Sequence, residues 1–169
     1  NVPYFKANNA QEVFDFMHAH PFVTLVVNGE QYPVATHVPV IIEEKNGKMI
    51  LRGHVMRKTD HHEEMEKAPN VLVIFSGAHS YVSASWYTNK QVGSTWNYRV
   101  VHARGTLTFT DQENLLDLLT KLTEKFENNP DSPSLVKHLS QEYLESMMKA
   151  IVAFEIEITK IEHVFKLSQ

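Results

Sequence analysis

The run Leu51-Arg52-Gly53-His54-Val55-Met56-Arg57-Lys58-Thr59-Asp60 places two adjacent cations at the end of a strand pattern and directly before a helix start. A helix N-terminus offers unpaired backbone N–H groups and the positive end of its dipole. Together with the Thr59 hydroxyl and the charges of Arg57 and Lys58, these groups could converge on a phosphomonoester. By themselves the same cations read more readily as a solvated strand end beside Glu63 and Glu64. His61-His62-Glu63-Glu64 has the composition of a metal cluster but lacks two His at i and i+4 around a Glu. It reads as a solvated helix face, and no metal is expected. His37, His54 and His102 all fall on expected strands, where they face one cavity or serve as ordinary core and surface residues.

Tyr81, Trp86, Tyr87, Trp96 and Tyr98 are interleaved with Ser83, Ser85, Thr95 and Asn97. Such a segment suits a planar ligand with donors at its rim, and it suits a subunit interface as well. There is no Gly-rich phosphate loop, no Gly-x-Ser-x-Gly elbow and no Ser, His and Asp set that spacing identifies, so no catalytic residue can be named. Cysteine is absent, which removes thiolate chemistry and disulfides and makes a reducing cytoplasm the expected location. The net charge of -4 repels a nucleic-acid backbone at long range. No apolar run approaches the roughly 18 residues of a membrane span, and Asn1 to Lys6 lack the apolar stretch of a secretory signal.

These groups need a frame. Asn9 with Glu12 forms a capping box for a first helix that ends before Pro21. Phe22 to Val27 reads as a strand, turned at Asn28-Gly29 into a second from Gln31 to Val40. Asn46-Gly47 joins Val40 to Glu44 with Lys48 to Val55 in another hairpin. A polar helix runs from Thr59 or Asp60 to Lys67, and Val71 to Phe75 is a strand ended by Gly77. His79 to Gly93 reads as an ordered loop, and Trp96 to Thr108 as a long strand with a bulge at Gly105. Asp111 caps a helix to about Phe126, a turn-rich connector leads to a helix from Gln141 to Met148, and Val152 to Thr159 alternates as a final strand. Strands joined mainly by hairpins, with helices at the start, between strands and near the end, predict a mainly β, α+β chain: one domain over residues 1–169, an antiparallel barrel with helices outside.

The blocks Thr36-His37-Val38-Pro39, Leu51-Arg52-Gly53-His54-Val55, Tyr81-Val82-Ser83-Ala84-Ser85-Trp86-Tyr87, Thr95-Trp96-Asn97-Tyr98-Arg99-Val100-Val101-His102 and Lys166-Leu167-Ser168-Gln169 give the sequence a closer likeness. It resembles the PaiB-like family of FMN-binding negative transcriptional regulators, in the same block order and over nearly the whole chain. The resemblance implies a split β-barrel like that of pyridoxamine-phosphate oxidases, a homodimer, and FMN in clefts between subunits. It implies that Arg57 and Lys58 lie where such proteins hold the FMN phosphate, with Thr59 beside them. By the same resemblance Arg52 and His54 fall on the strand leading there, His37 on a neighbouring strand, and Ser83 is implied as a further cofactor contact. Two departures stand out: Ser94 precedes Thr95-Trp96 where relatives carry Pro, and relatives continue beyond Gln169 by a short tail.

Three functions follow as expectations. The first is a repressor of sporulation and degradative-enzyme genes with FMN as a sensor; no helix-turn-helix or basic stripe supports direct DNA contact. The second is an FMN-dependent oxidoreductase, in which the flavin carries the redox chemistry. The third is a module that holds FMN or another planar ligand without reacting it.

Overall fold

The computed structural model describes residues 5–89 and 91–168. Asn1 to Tyr4 of the amino-terminal segment, Lys90 of the aromatic loop and Gln169 of the last motif lie outside the described residues. The elements run α1 (Ala10–Ala19), β1 (Phe22–Asn28), β2 (Pro33–Pro39), β3 (Ile41–Lys45), β4 (Lys48–Met56), α2 (Asp60–Lys67), β5 (Asn70–Val82), β6 (Thr95–Phe109), α3 (Gln112–Glu127), α4 (Gln141–Ala150) and β7 (Ile151–Lys166). Short 3₁₀ turns occupy Ala84–Trp86 and Val136–His138. Each α-helix starts at a polar cap, Asn9, Thr59, Asp111 or Ser140, whose side chain accepts a backbone N–H of the first turn. The first box is offset by one residue: Glu12 reaches back to the N–H of Asn8, 2.7 Å away, and not to that of Asn9. Among the described residues no helix is long and apolar enough to cross a membrane.

The seven strands form one antiparallel sheet in the order β2-β1-β5-β6-β7-β4-β3. Its two edge strands, β2 and β3, are consecutive in the chain with only Val40 between them, so the sheet must curl until its edges meet there. The Val40 N–H donates to the Pro21 carbonyl at 2.8 Å and pins that corner to the start of β1. The result is the expected split barrel.

Inward-facing Val23, Leu25, Leu51, Val73, Phe75, Val101, Phe154 and Ile156 fill the barrel, with Phe16 and Met17 of α1 and Met65 of α2 closing it. Each such side chain contributes about 1.5–3 kcal/mol on burial. A second cluster forms outside, where Leu115, Leu118, Leu119 and Leu122 of α3 and Met148 of α4 pack on Ala153 of β7. β7 is therefore covered on both faces at its start.

Three expectations need correction. The Asn28-Gly29 turn is a four-residue loop, since Asn28 faces Pro33. β5 does not end at Gly77: it passes through an irregularity between Ser76 and His79 and continues to Val82. β7 likewise runs past Thr159 to Lys166. The bulge expected at Gly105 is present, with Thr159 as the extra residue on β7 opposite Arg104 and Gly105.

Candidate functional site

β4 carries the candidate residues, and its pleat sorts them. Leu51 and Val55 face the barrel core, and a Cβ at Gly53 would lie 2.6 Å from the Phe154 ring, so that position must stay bare. Arg52 and His54 take the outer face.

Arg52 is 4% exposed, and its guanidinium is spent within the fold. It donates to Asp117 Oδ2 at 2.7 Å, to both Glu43 oxygens at 3.3 Å and to the Asn114 carbonyl at 3.1 Å, with Glu155 Oε1 3.5 Å from its Nε. Lys121 joins the network through Asp117 and Glu43. The hydrogen bond from Arg52, followed by that from Lys121, holds the Asp117 carboxyl below the usual carboxylate range. The network fastens α3 across β3, β4 and β7.

His54 faces Ala153, and its Nδ1 is buried with no hydrogen-bond partner. Thr110, whose N–H donates to the Ala153 carbonyl at 2.9 Å, holds a second buried and unpartnered atom, Oγ1. Burial lowers the pKa of His54, so the ring stays neutral below the pH at which a free imidazole would charge.

Arg57 and Lys58 follow at the strand end, both exposed. The Arg57 N–H and Nε donate to the carbonyls of Ala150 and Ile151 at 2.9 and 3.0 Å, which fixes the stem and leaves the two terminal nitrogens directed outward. Lys58 turns the chain into α2 with φ of 60° and makes no side-chain hydrogen bond or ion pair with another described residue. Thr59 is less free than its type suggests: its hydroxyl donates to the Met56 carbonyl at 3.0 Å, accepts from the His62 N–H and meets His61 Nε2. The helix start is capped from within, so the two cations are the groups left for an anion.

The remaining candidates stand elsewhere. His37 is exposed on edge strand β2 and lies in one row across the outer sheet face with Thr24, Ile74 and His102. Three strand spacings of about 4.8 Å put His37 and His102 roughly 14 Å apart along the sheet, and His54 lies on β4. Ser83 caps the 3₁₀ turn, accepting from the Ser85 N–H at 3.2 Å and bonding the Ser85 hydroxyl at 2.8 Å. Ser94, the departure from the motif, accepts from the Ala84 N–H at 3.0 Å and so braces the same turn. Trp86 and Trp96 beside it are 72% and 51% exposed, an aromatic surface at the tip of the β5–β6 hairpin. No cluster that could hold a metal ion occurs among the described residues.

Curled antiparallel sheet and outer helices together define the split-barrel fold. The FAD and heme binding protein from Mycobacterium smegmatis has a similar structure at TM-score 0.66 and 14% identity, over 95% of this chain and 72% of that one. A pyridoxinephosphate oxidase family protein from Clostridium acetobutylicum, related to general stress protein 26, superposes at TM-score 0.55 and 13% identity over 92% and 87%. In sequence the chain is 37% identical over 166 residues to protease synthase and sporulation protein PAI 2 of Bacillus subtilis, covering 98% of this chain and 80% of that protein. The family described as "Putative FMN-binding domain" matches residues 2–160, and the chain belongs to it.

Proposed function

We propose that this protein is a PaiB-like regulator that binds FMN between two identical subunits in the cytoplasm, with Arg57 and Lys58 on the flavin phosphate. One observation carries the reading: two cations with outward, uncommitted donors stand on open surface at one end of the sheet. A phosphate there gains charge-assisted bonds. The exposed aromatic tip bearing Ser83 lies at the other end of the sheet and is the surface a second copy can bring to complete the cleft. Arg52 and Thr59 act as positioning residues, because their own donors are already engaged. The buried, unpartnered Nδ1 of His54 is the kind of atom a bound ligand satisfies, and His37 lies on the strand against which α2 packs.

When bound, FMN supplies the light absorption and redox chemistry; the chain binds and orients it. The regulatory role rests on the Bacillus relative, whose name ties it to protease synthesis and sporulation. The acidic net charge favours action through a partner over direct operator contact. The test is the visible spectrum and released-ligand mass of the purified protein before and after FMN addition. One FMN per subunit, lost in the double variant Arg57→Ala and Lys58→Ala, is the expected result. A protein that stays colourless with FMN, or a double variant that binds it equally well, overturns the reading.

A further inference from the structure

Away from these residues, an open cleft of about 500 Å³ runs between the outer turns of α1 and the start of β6, and its walls carry opposite charges that do not meet. On one wall Arg99 projects from β6, half-buried, with its guanidinium 5.2 Å from the Phe16 ring centroid and 5.6 Å from that of Phe165. It makes no ion pair or hydrogen bond with any described residue, so the rings hold its position and its donors remain unused. The facing wall is α1, where Glu12, Asp15, Phe16 and Ala19 recur at helical spacing. Among the described residues the Asp15 side chain accepts only from Gln11 Nε2, at 2.8 Å, and Glu12 is turned toward Asn8. Neither carboxylate comes within 4.0 Å of Arg99. Phe16 floors the cleft with the His20 ring stacked on it at 4.2 Å. His20 Nδ1 lies 2.8 Å from the Phe16 carbonyl, which requires Nδ1 to be the donor and leaves Nε2 free of that bond.

A guanidinium fork and a carboxylate that share a cleft without pairing define a ligand with both charges. A dianion such as phosphate would meet repulsion from Asp15 and Glu12, and a plain amine would meet Arg99. We infer that this cleft binds a free α-amino acid, the carboxylate on Arg99 and the ammonium on Asp15, with the side chain over Phe16 and His20. The inference does not rest on the flavin reading, since the cleft shares none of the residues proposed to hold FMN.

The experiment titrates the full-length protein by calorimetry with each of the twenty L-amino acids, and with the N-acetyl and α-amide derivative of any that binds. Expected is saturable binding of at least one amino acid, weakened at least about tenfold by blocking either charged group and by either Asp15→Asn or Arg99→Met. Arg99→Lys, which keeps the charge and the stem, should fold as the parent does and bind better than Arg99→Met. No binding by any of the twenty up to about 10 mM overturns the inference. So does a blocked derivative that binds as well as its parent, or an Arg99→Met protein with undiminished affinity. FMN binding should be unchanged in Asp15→Asn; its loss there would also overturn the assignment of a separate site.

Discussion

Ser83 and Arg57 stand at opposite ends of the same sheet. Val82, the neighbour of Ser83, is paired with Thr95 at the start of β6, while the far end of β6 at Phe109 lies opposite Phe154, three residues from the Ile151 that faces Met56. The 15 residues of β6 at about 3.3 Å each make roughly 45 Å of strand path between them. Under the proposed reading, the two residues at opposite ends of the sheet serve one flavin from different copies of the chain.

Complementation between two inactive variants follows from this separation. Arg57→Ala removes a proposed phosphate donor and Ser83→Glu sets a negative charge at the proposed partner surface; each alone should bind little flavin. Co-expressed, the mixed dimer has one doubly damaged site and one intact site, so its flavin content should recover toward half that of the parent. Absorbance of the purified mixed dimer decides it, and the absence of any recovery would place both residues' effects within one subunit.

Lys58 separates binding from stability. Its φ of 60° is a conformation in which a Cβ crowds the following carbonyl and costs about 1–2 kcal/mol. Glycine relieves that strain and gives back part of it in unfolded-chain entropy. Lys58→Gly should therefore be more stable by about 1 kcal/mol, a melting-temperature rise of about 2–4 °C for a chain of this size. It should also bind FMN at least about tenfold more weakly, having lost one cation from the proposed phosphate site. Thermal unfolding and FMN titration of the same sample measure both.

The limits of the sequence are visible in two identical dipeptides. Asn46 and Gly47 both take positive φ, 55° and 74°, between the paired Lys45 and Lys48, which is the two-residue hairpin their types predict. Asn28 and Gly29 do not; glycine is required there because a Cβ would sit 2.4 Å from the Tyr32 carbonyl oxygen. Gly77 fails as a strand end for a similar tertiary reason. Phe16 of α1 comes within 2.8 Å of where its Cβ would be, so the glycine admits a helix and the strand goes on. The second half of β7 was hidden by its own bulge: Ile158 faces inward before Thr159 and Phe165 faces inward after it, so the alternation changes phase. At the site, the cationic strand end and the Thr59 cap were legible from residue types. The commitment of Arg52 to Glu43, Asp117 and Glu155 was not, because two of its partners come from elements distant in the sequence.

Arg52→Met should expose that commitment. Removing the cation leaves three carboxylates around an apolar side chain, and the loss should be about 3 kcal/mol, moderated because those partners reach solvent. The acid limb of stability should change as well. In the parent, Asp117 has a folded pKa below its unfolded value, so its contribution is complete above the unfolded pKa of about 3.9 and is lost as pH falls through the folded one. In Arg52→Met that loss shrinks, and urea unfolding between about pH 2 and pH 5 should show a shallower pH dependence.

His54 titrates in a higher window and with the opposite burden. Burial lowers its folded pKa, so below the unfolded value of about 6.5 the unfolded chain binds the proton more readily than the native one. Its neutral state favours folding fully above about pH 6.5, and that advantage is lost as pH falls toward the folded pKa. His18 and His163 are shifted downward too, chiefly by burial, so the parent alone cannot isolate His54. His54→Leu can: it fills a similar outer-face position beside Ala153 and removes the buried, unpartnered Nδ1. Urea unfolding at several pH values between about 5 and 8 should show the variant at least as stable as the parent at neutral pH, by about 1 kcal/mol at most, and less weakened by acid. A variant with the parent's full pH dependence would mean that His54 is not among the groups that take up the proton.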